Sequence, residues 1–455
     1  MNRRHLLAGA AAAGLGAVVP VQAAAKRPPN FIVILCDDLG YGDVSVYGPS
    51  VIKTPHMERM AREGMVLTDY YAPANLCTPS RAGLLTGRYP IRTGLGYEVI
   101  MQQDDRGLPL SEVTIAKALK PAGYVSGLFG KWHLGHLGQY WPPTRHGFDA
   151  FFGIPYSHDM KPLSLYEAVA GRERVDSFPV VYPELQQTFH AHAEAFIEAH
   201  KDRPFFVEMA LSAPHLPEYP HAPYDQTTPA GPYGAVVQEL DDIVGRVLDK
   251  VRSLGLAEDT MVILTSDNGP WFEGSPGWLR ERKGGGAYDG GYRVPFIAWA
   301  PGRIPPGGRV SSIASGVDLL PTFLNLAGLP PLSGVTLDGR DITAVLTHGA
   351  PSPHEALILF DNETPVGVRT QDWKYIASAY YRGARLPMAL LGFEELYDVK
   401  GDPSENYSVA ATHPEALKMM KARMERAKTE FAPFKHATIP LVFQQMHQAF
   451  AHMQD

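Results

Sequence analysis

Several stretches of the chain share one pattern, a short apolar, often β-branched run followed at once by polar residues able to do chemistry. "NFIVILCDD" ends at Asp37 and Asp38, "GYVSGLFGKWHLG" delivers Lys131 and His133, "PFFVEMALSAPH" delivers His215, and "TMVILTSDNG" delivers Asp267 and Asn268. Runs that are apolar throughout, rather than alternating, predict strands buried on both faces of a mainly parallel sheet. Between them "TPHMERMAREG", "TIAKALKPAG" and "AVVQELDDIVGRVLDKVRSLG" carry helical spacing, the last closed by Gly255. The layout is βαβ, and in such sheets ligands gather beyond the carboxyl ends of the strands, where residues far apart in sequence converge.

After about residue 340 the pattern changes. "ALILFDN", "PVGVRTQDWKYIAS" and "ELYDVKGDPSEN" read as short strands with turns, an antiparallel sheet, and "PEALKMMKARMERAKTEF" as a helix packed on it. The expected fold is α/β: a large, mixed, mainly parallel sheet flanked by helices over residues 26–340, and a smaller α+β domain with an antiparallel sheet over 341–455. The tail "PLVFQQMHQAFAHMQD" reads as a final helix covering a sheet edge or a subunit contact.

Composition narrows the partners. The 455 residues are 45% hydrophobic and 20% charged, enough for a large core. A net charge of -7 with mixed signs leaves no basic stripe, which argues against nucleic acid and requires any anionic ligand to be held by a local site. The first residues, "MNRRHLLAGAAAAGLGAVVPVQAAA", combine Arg3-Arg4, an apolar run too short for the ~20 residues of a spanning helix, and a small-residue exit. Residues 1–25 are thus expected to be a twin-arginine signal read by that export machinery, with the mature chain starting near Lys26, periplasmic or secreted and without stable membrane insertion. Cys36 closes a buried-looking run whereas Cys77 opens a helix, so the two are read as unbridged, and the helix start is expected to make Cys77 reactive.

Asp37, Asp38, Asp267 and Asn268 are hard oxygen donors at two strand ends. The three carboxylates repel one another unless a cation is present, and oxygen ligands favour Ca²⁺ or Mg²⁺. "DD" or "DNG" alone is an ordinary strand-end turn; both, each after a buried run, point to a metal. Arg81, Lys131 and Lys283, with His133 and His215, form a cationic set among glycines that let the backbone approach a ligand closely. Together with a metal they suit an oxyanion and the charge that develops as it is transferred. In "NLCTPSRAGLLTGR", Pro79 suits the first turn of a helix running to Gly87, which places Cys77 where free backbone N–H groups favour anions. A thiolate is a soft donor poorly matched to an oxygen-ligand ion, so an oxygen nucleophile fits better.

These residues resemble a known family. "CTPSR" with "AGLLTGR" is similar to the signature of the type I sulfatases, whose C-x-P-S-R cysteine is oxidised to formylglycine before folding. "CDDLGYGD", "GKWHLG", "IPYSHDM", "SAPHLP", "TSDNGP", "RKGGGAYDGGYRVP" and "LYDVKGDPSEN" follow in the family's order, and "IPYSHDM" looks like the arylsulfatase A branch. The resemblance implies an alkaline phosphatase-like fold and a formylglycine-generating maturation enzyme as a transient partner, acting before export of the folded chain. It implies that Cys77, as a formylglycine hydrate bound to Ca²⁺ alongside Asp37, Asp38, Asp267 and Asn268, attacks sulfur and expels an alcohol or phenol. Arg81 and Lys131 would hold the hydrate, His133 would take the proton from its second hydroxyl, Lys283 and His215 would bind sulfate oxygens and help protonate the leaving group, and Ser157 would be an ancillary contact. Substrates would be aryl sulfates or sulfated sugars or lipids.

Asp289 and Tyr292 depart from the family pattern and put the lining near Lys283 in doubt, while Trp271 and Trp278 are candidates for stacking on an aryl or sugar ring. Two rivals remain at this stage, a phosphonate monoester or phosphodiester hydrolase on the same sheet and a calcium-dependent binding protein with Cys77 unmodified.

Overall fold

The computed structural model describes residues 27–436 apart from 225–227 and 382–383; the export-signal reading and the tail-helix reading fall outside the described residues. Ten strands form one mixed sheet: Asn30–Asp37 (β1), Met65–Leu67 (β2), Val125–Lys131 (β3), Ala150–Ile154 (β4), Leu165–Val169 (β5), Val175–Phe178 (β6), Phe205–Pro214 (β7), Thr260–Ser266 (β8), Phe296–Trp299 (β9) and Gly308–Val310 (β10). Their spatial order is β10-β2-β9-β8-β1-β7-β3-β4-β5-β6. The middle of the sheet, from β8 through β1, β7 and β3 to β4, is parallel throughout. Antiparallel pairings join β9, β5 and β6 to its flanks.

The uninterrupted apolar runs are explained by burial on both sides. Phe31, Val33 and Leu35 of β1 face a core shared with Leu84, Leu85 and Phe323. Ile32, Ile34 and Cys36 face a second core shared with Phe196, Val236 and Leu240. Helices Pro55–Glu63 (α1), Leu185–Ala199 (α3) and Gly231–Ser253 (α4) cover that second face, and Cys77–Thr86 (α2) and Leu319–Leu326 (α5) cover the first. Burying one such Phe or Leu contributes about 1.5–3 kcal/mol, so the sheet is fixed from both sides.

The register of β1 positions the chemistry. Cys36 pairs with Ser266 on one neighbour and Asp37 with Pro214 on the other, after a register shift between Leu35 and Asp37. Gly130 of β3 stands beside Ala210 of β7. Parallel strands lie about 4.8 Å apart, so the residues just past the ends of β1, β3, β7 and β8 meet in one place. At Gly130 the backbone has φ 127° and a β-carbon would stand 1.9 Å from the Ala210 carbonyl oxygen, so only glycine fits before Lys131.

A second, antiparallel sheet consists of Leu357–Asp361 (β11), Thr364–Arg369 (β12), Trp373–Ile376 (β13) and Glu395–Asp398 (β14), in that spatial order. Helix Pro414–Phe431 (α6) lays Met420 and Met424 on Val368, Tyr375 and Leu396. The other face packs Leu359, Val366 and Ile376 against Ala287, Tyr288 and Tyr292. A buried ionic joint accompanies that contact: Lys374 Nζ lies 2.6 Å from both Asp289 Oδ1 and Glu405 Oε1, and Arg293 Nη1 lies 3.3 Å from Asp289 Oδ2. Asp289 and Tyr292 therefore serve the joint between the two sheets. No helix among the described residues is long and apolar enough to cross a membrane.

Candidate active site

Helix α2 opens at Cys77, with Leu76 as its extended cap; Ser80 N–H donates to Leu76 O at 3.0 Å. It closes at Gly87, whose left-handed backbone lets its N–H reach Gly83 O at 2.9 Å. The helix starts two residues before Pro79, so Pro79 lies inside the first turn, where its missing N–H leaves no intrahelical bond unmade. All of its residues are buried. Thr78 ties it to two loops, donating to His133 O at 2.9 Å and accepting from Ile100 N–H at 3.0 Å.

Around Cys77 the charges interlock. Lys131 Nζ is 2.6 Å from Asp37 Oδ2, and Arg81 Nη2 is 3.3 Å from Asp37 Oδ1 and 2.8 Å from Asp267 Oδ2. Arg81 also donates through Nε to Asp267 at 2.9 Å and through Nη1 to Lys131 O at 3.1 Å. Lys283 Nζ lies 2.8 Å from both oxygens of Asp38 and 3.3 Å from Cys77 Sγ, and the thiol is 3.5 Å from Asp37 Oδ1. Asp38 and His133 hold left-handed backbones, φ 68° and 59°, a strain of about 1–3 kcal/mol each that concentrates at functional positions.

Burial alone would raise Asp37, but Lys131 and Arg81 outweigh it and hold the carboxyl well below its usual range. Asp267 shows the opposite balance: burial, opposed by Arg81 and reinforced by Asp37, pushes it up to about 6. Burial, with Lys131 and Arg81 nearby, drives His133 well below the usual histidine range. The imidazole is thus neutral; its Nε2 lies 2.9 Å from Ile100 O and takes the proton to donate there, leaving the Nδ1 lone pair buried and unpartnered. The expectation of a reactive Cys77 thiol is corrected here, because burial pushes its pKa far up in spite of Lys131 and Lys283. Cys36 and Cys77 are both free, as the unbridged reading required.

The donor set suits a hard cation. Asp37, Asp38, Cys77 and Asp267 each offer an atom within 4.8 Å of the others, all buried. Asn268 donates through Nδ2 to Asp38 Oδ1 at 2.7 Å and to Gly269 O at 2.8 Å, which leaves its Oδ1 buried without a partner. Carboxylates and an unpaired amide oxygen match Ca²⁺ or Mg²⁺ better than a thiophilic metal.

Of the remaining predicted residues, His215 stands beside this cluster. His215 Nε2 is 3.8 Å from Asp38 Oδ2, while its Nδ1 lies 2.6 Å from Leu216 O. Ser157 follows β4, and its Oγ is buried without a partner. The structure therefore brings Arg81, Lys131, Lys283 and His215 onto the acidic cluster, with His133 joined to α2 through Thr78. Sequence reasoning missed Asn75, whose carbonyl accepts from Gly284 N–H at 3.1 Å and whose Nδ2 donates to Gly286 O at 2.9 Å, tying the Lys283 segment to the start of α2. It also missed His158, whose ring meets that of His215 edge-on at 5.7 Å. The signal for both was adjacency: Asn75 stands two residues before Cys77 and His158 directly follows Ser157.

Comparison with known proteins agrees with this geometry. A family model described as Sulfatase matches residues 29–329. Arylsulfatase A of Homo sapiens is 37% identical over 90% of this chain and 90% of its own length. N-acetylgalactosamine-6-sulfatase of Canis lupus familiaris is 38% identical over 76% of this chain and 70% of its own. The crystal structure of a sulfatase from Pseudoalteromonas sp. superposes with a TM-score of 0.83 at 28% identity, covering 90% of this chain and 92% of that one.

Proposed function

The chain belongs to the sulfatase family, arylsulfatase A-like, and is a sulfuric ester hydrolase, and from that premise we propose how its residues divide the work. The carrying observation is the ring of Arg81, Lys131, Lys283 and His215 closed around a carboxylate cluster at the start of α2. Asp37, Asp38, Asp267 and Asn268 hold a divalent cation, Ca²⁺ by preference with Mg²⁺ the other hard ion; when bound it supplies charge that lowers the pKa of an oxygen nucleophile and polarises the ester. Cys77 is matured to formylglycine, whose hydrate supplies that oxygen where the buried thiol does not.

Arg81 and Lys131 neutralise Asp37 and Asp267 and present N–H groups toward position 77. Lys283 and His215 bind the sulfate oxygens, and Ser157 adds a hydroxyl contact. Lys283 and His215 help protonate the leaving oxygen, while the free Nδ1 of His133 accepts a proton. Preorganised cations in a dry site stabilise the transferring group without reorganising. The catalytic unit spans residues 26–340 and the C-terminal unit 341–455.

The substrates are aryl sulfates or sulfated sugars or lipids, since relatives of this chain carry the names arylsulfatase and N-acetylgalactosamine-6-sulfatase. The Arg3-Arg4 segment directs twin-arginine export to the periplasm or beyond after maturation by a formylglycine-generating enzyme; Lys at both positions would leave the protein in the cytoplasm on fractionation. Rates on nitrophenyl sulfate and on a nitrophenyl phosphonate test the reaction itself: turnover of the sulfate well above the phosphonate supports it, and sulfate turnover at background rejects it.

A further inference from the structure

Between Asn268 and Lys283 the chain makes a closed loop at the edge of the site. Its neck is stitched by Lys283 N–H donating to Pro270 O at 3.0 Å, and Gly284 N–H ties the same neck to Asn75 at 3.1 Å, two residues before Cys77. Its far side is braced by Gly42 N–H on Ser275 O at 2.9 Å and by Ser275 N–H on the Asp43 carboxylate at 3.0 Å. Arg282 spans the interior, donating to Trp271 O at 3.0 Å and to Gly274 O. Trp271 is the first residue past the neck, one Cα step of about 3.8 Å from Pro270, and the neck residue Lys283 reaches Cys77 Sγ at 3.3 Å.

This loop exposes large rings. Trp271 is 39% exposed, Phe272 71% and Trp278 42%. Trp278 is already engaged, edge-on with Tyr41 at 5.8 Å and beneath the Arg293 guanidinium at 5.0 Å. Trp271 meets Phe272 at 4.8 Å with 81° between planes, which steadies the indole, and it keeps 39% of its surface exposed. Adjacent exposed aromatics on a tightly hydrogen-bonded loop at a site mouth are suited to ligand contact rather than to core packing.

We propose that Trp271, steadied by Phe272, is a specificity-determining wall on which the leaving group stacks, so that sulfate esters of flat-faced rings, aryl or pyranose, bind better than acyclic alkyl sulfates. It rests on the reading above that Lys131, Lys283 and His215 hold the sulfate. Trp278 is assigned a structural role instead. The test uses full-length Cys77→Ala protein loaded with Ca²⁺, so that binding is read without turnover, and calorimetric titration with 2-naphthyl sulfate, galactose 3-sulfate, ethyl sulfate and inorganic sulfate. Trp271→Ala in that background weakens one or both ring esters by about two- to tenfold, the value of one aromatic contact, and leaves ethyl sulfate and inorganic sulfate unchanged; Trp271→Phe retains most of the ring preference. Loss for the naphthyl ester alone identifies an aryl leaving group and loss for the galactose ester alone a sugar, and either supports the proposal. Unchanged ring-ester binding, or an equal loss for ethyl sulfate, overturns it. Failure of the parent protein to bind inorganic sulfate or any ester overturns instead the sulfate-pocket reading on which it rests, and this inference with it.

Discussion

Lys131 shows what a single residue does in this site. Its ammonium, fully buried and 2.6 Å from Asp37, holds that carboxyl ionised and acts electrostatically on position 77. Lys131→Met removes the charge with little loss of volume, and kcat on nitrophenyl sulfate is expected to fall about 10²–10³-fold; a variant that folds and keeps its rate would remove Lys131 from the chemistry. Glu208 on β7 carries a different signature. It is buried between Val33 and Leu128, its Oε2 has no partner, and burial, only partly opposed by Arg81, pushes it from 4.5 up to about 7. The folded state therefore keeps a proton that the unfolded chain releases, so this residue costs nothing below about pH 4.5 and destabilises increasingly as pH rises to about 7. Glu208→Gln is expected to leave stability unchanged near pH 4.5 and to raise it above pH 7, by on the order of 3 kcal/mol at full effect, read as a higher Tm than wild type at the higher pH only; variant and wild type with the same Tm above pH 7 would contradict the assignment. The sequence showed Glu208 only as a polar interruption in "FFVEMALSAP" and gave no sign of its protonation, because pattern reports that a strand is buried but not which neighbours surround one side chain. The same blindness produced the one chemical misreading, a reactive Cys77 thiol, since the helix start was visible and the burial that overrides it was not.

At the scale of elements, the parallel core was legible because burial on both faces leaves an uninterrupted apolar run, as in "NFIVILCDD" and "TMVILTSDNG". The carboxyl ends of β1, β3, β7 and β8 then had to meet, and the residues that follow them are the ones the structure gathers. The flanking strands β2, β5, β6 and β10 were not legible: they span three to five residues and are held by neighbours rather than by their own pattern. Nor was the need for glycine at position 130. Gly130→Ala forces a β-carbon onto the Ala210 carbonyl in left-handed backbone, and is expected to cost more than about 3 kcal/mol and to displace Lys131. Thermal unfolding and kcat should fall together, and a variant with wild-type Tm would show that the strand has room.

At the scale of the whole molecule, the second sheet is joined to the catalytic one through the segment that carries Lys283. Lys374 links Asp289 to Glu405, Asp289 N–H donates to Glu405 Oε2 at 2.8 Å, and Arg280 donates to Glu405 O at 2.9 Å. Lys374→Met leaves buried Glu405 without its cation and Asp289 with Arg293 alone, and is expected to destabilise by about 3–5 kcal/mol, with a loss of kcat/KM as Lys283 shifts; unchanged stability in thermal unfolding would show the joint to be dispensable. The acidic cluster makes a further prediction. Chelation should lower Tm, and Ca²⁺ at about a hundred times its Kd should restore about 2.7 kcal/mol, whereas indifference to chelator would mean that Asp37, Asp38, Asp267 and Asn268 hold no ion. Central to the account is the identity of the nucleophile, because the fold brings Lys131 and Lys283 to bear on one position whose thiol burial keeps protonated. The most direct measurement is the mass of the peptide containing Cys77 from catalytically active protein. The account predicts the loss of hydrogen sulfide and gain of one oxygen that mark formylglycine; an unmodified cysteine in protein that hydrolyses sulfate esters at full rate would contradict it.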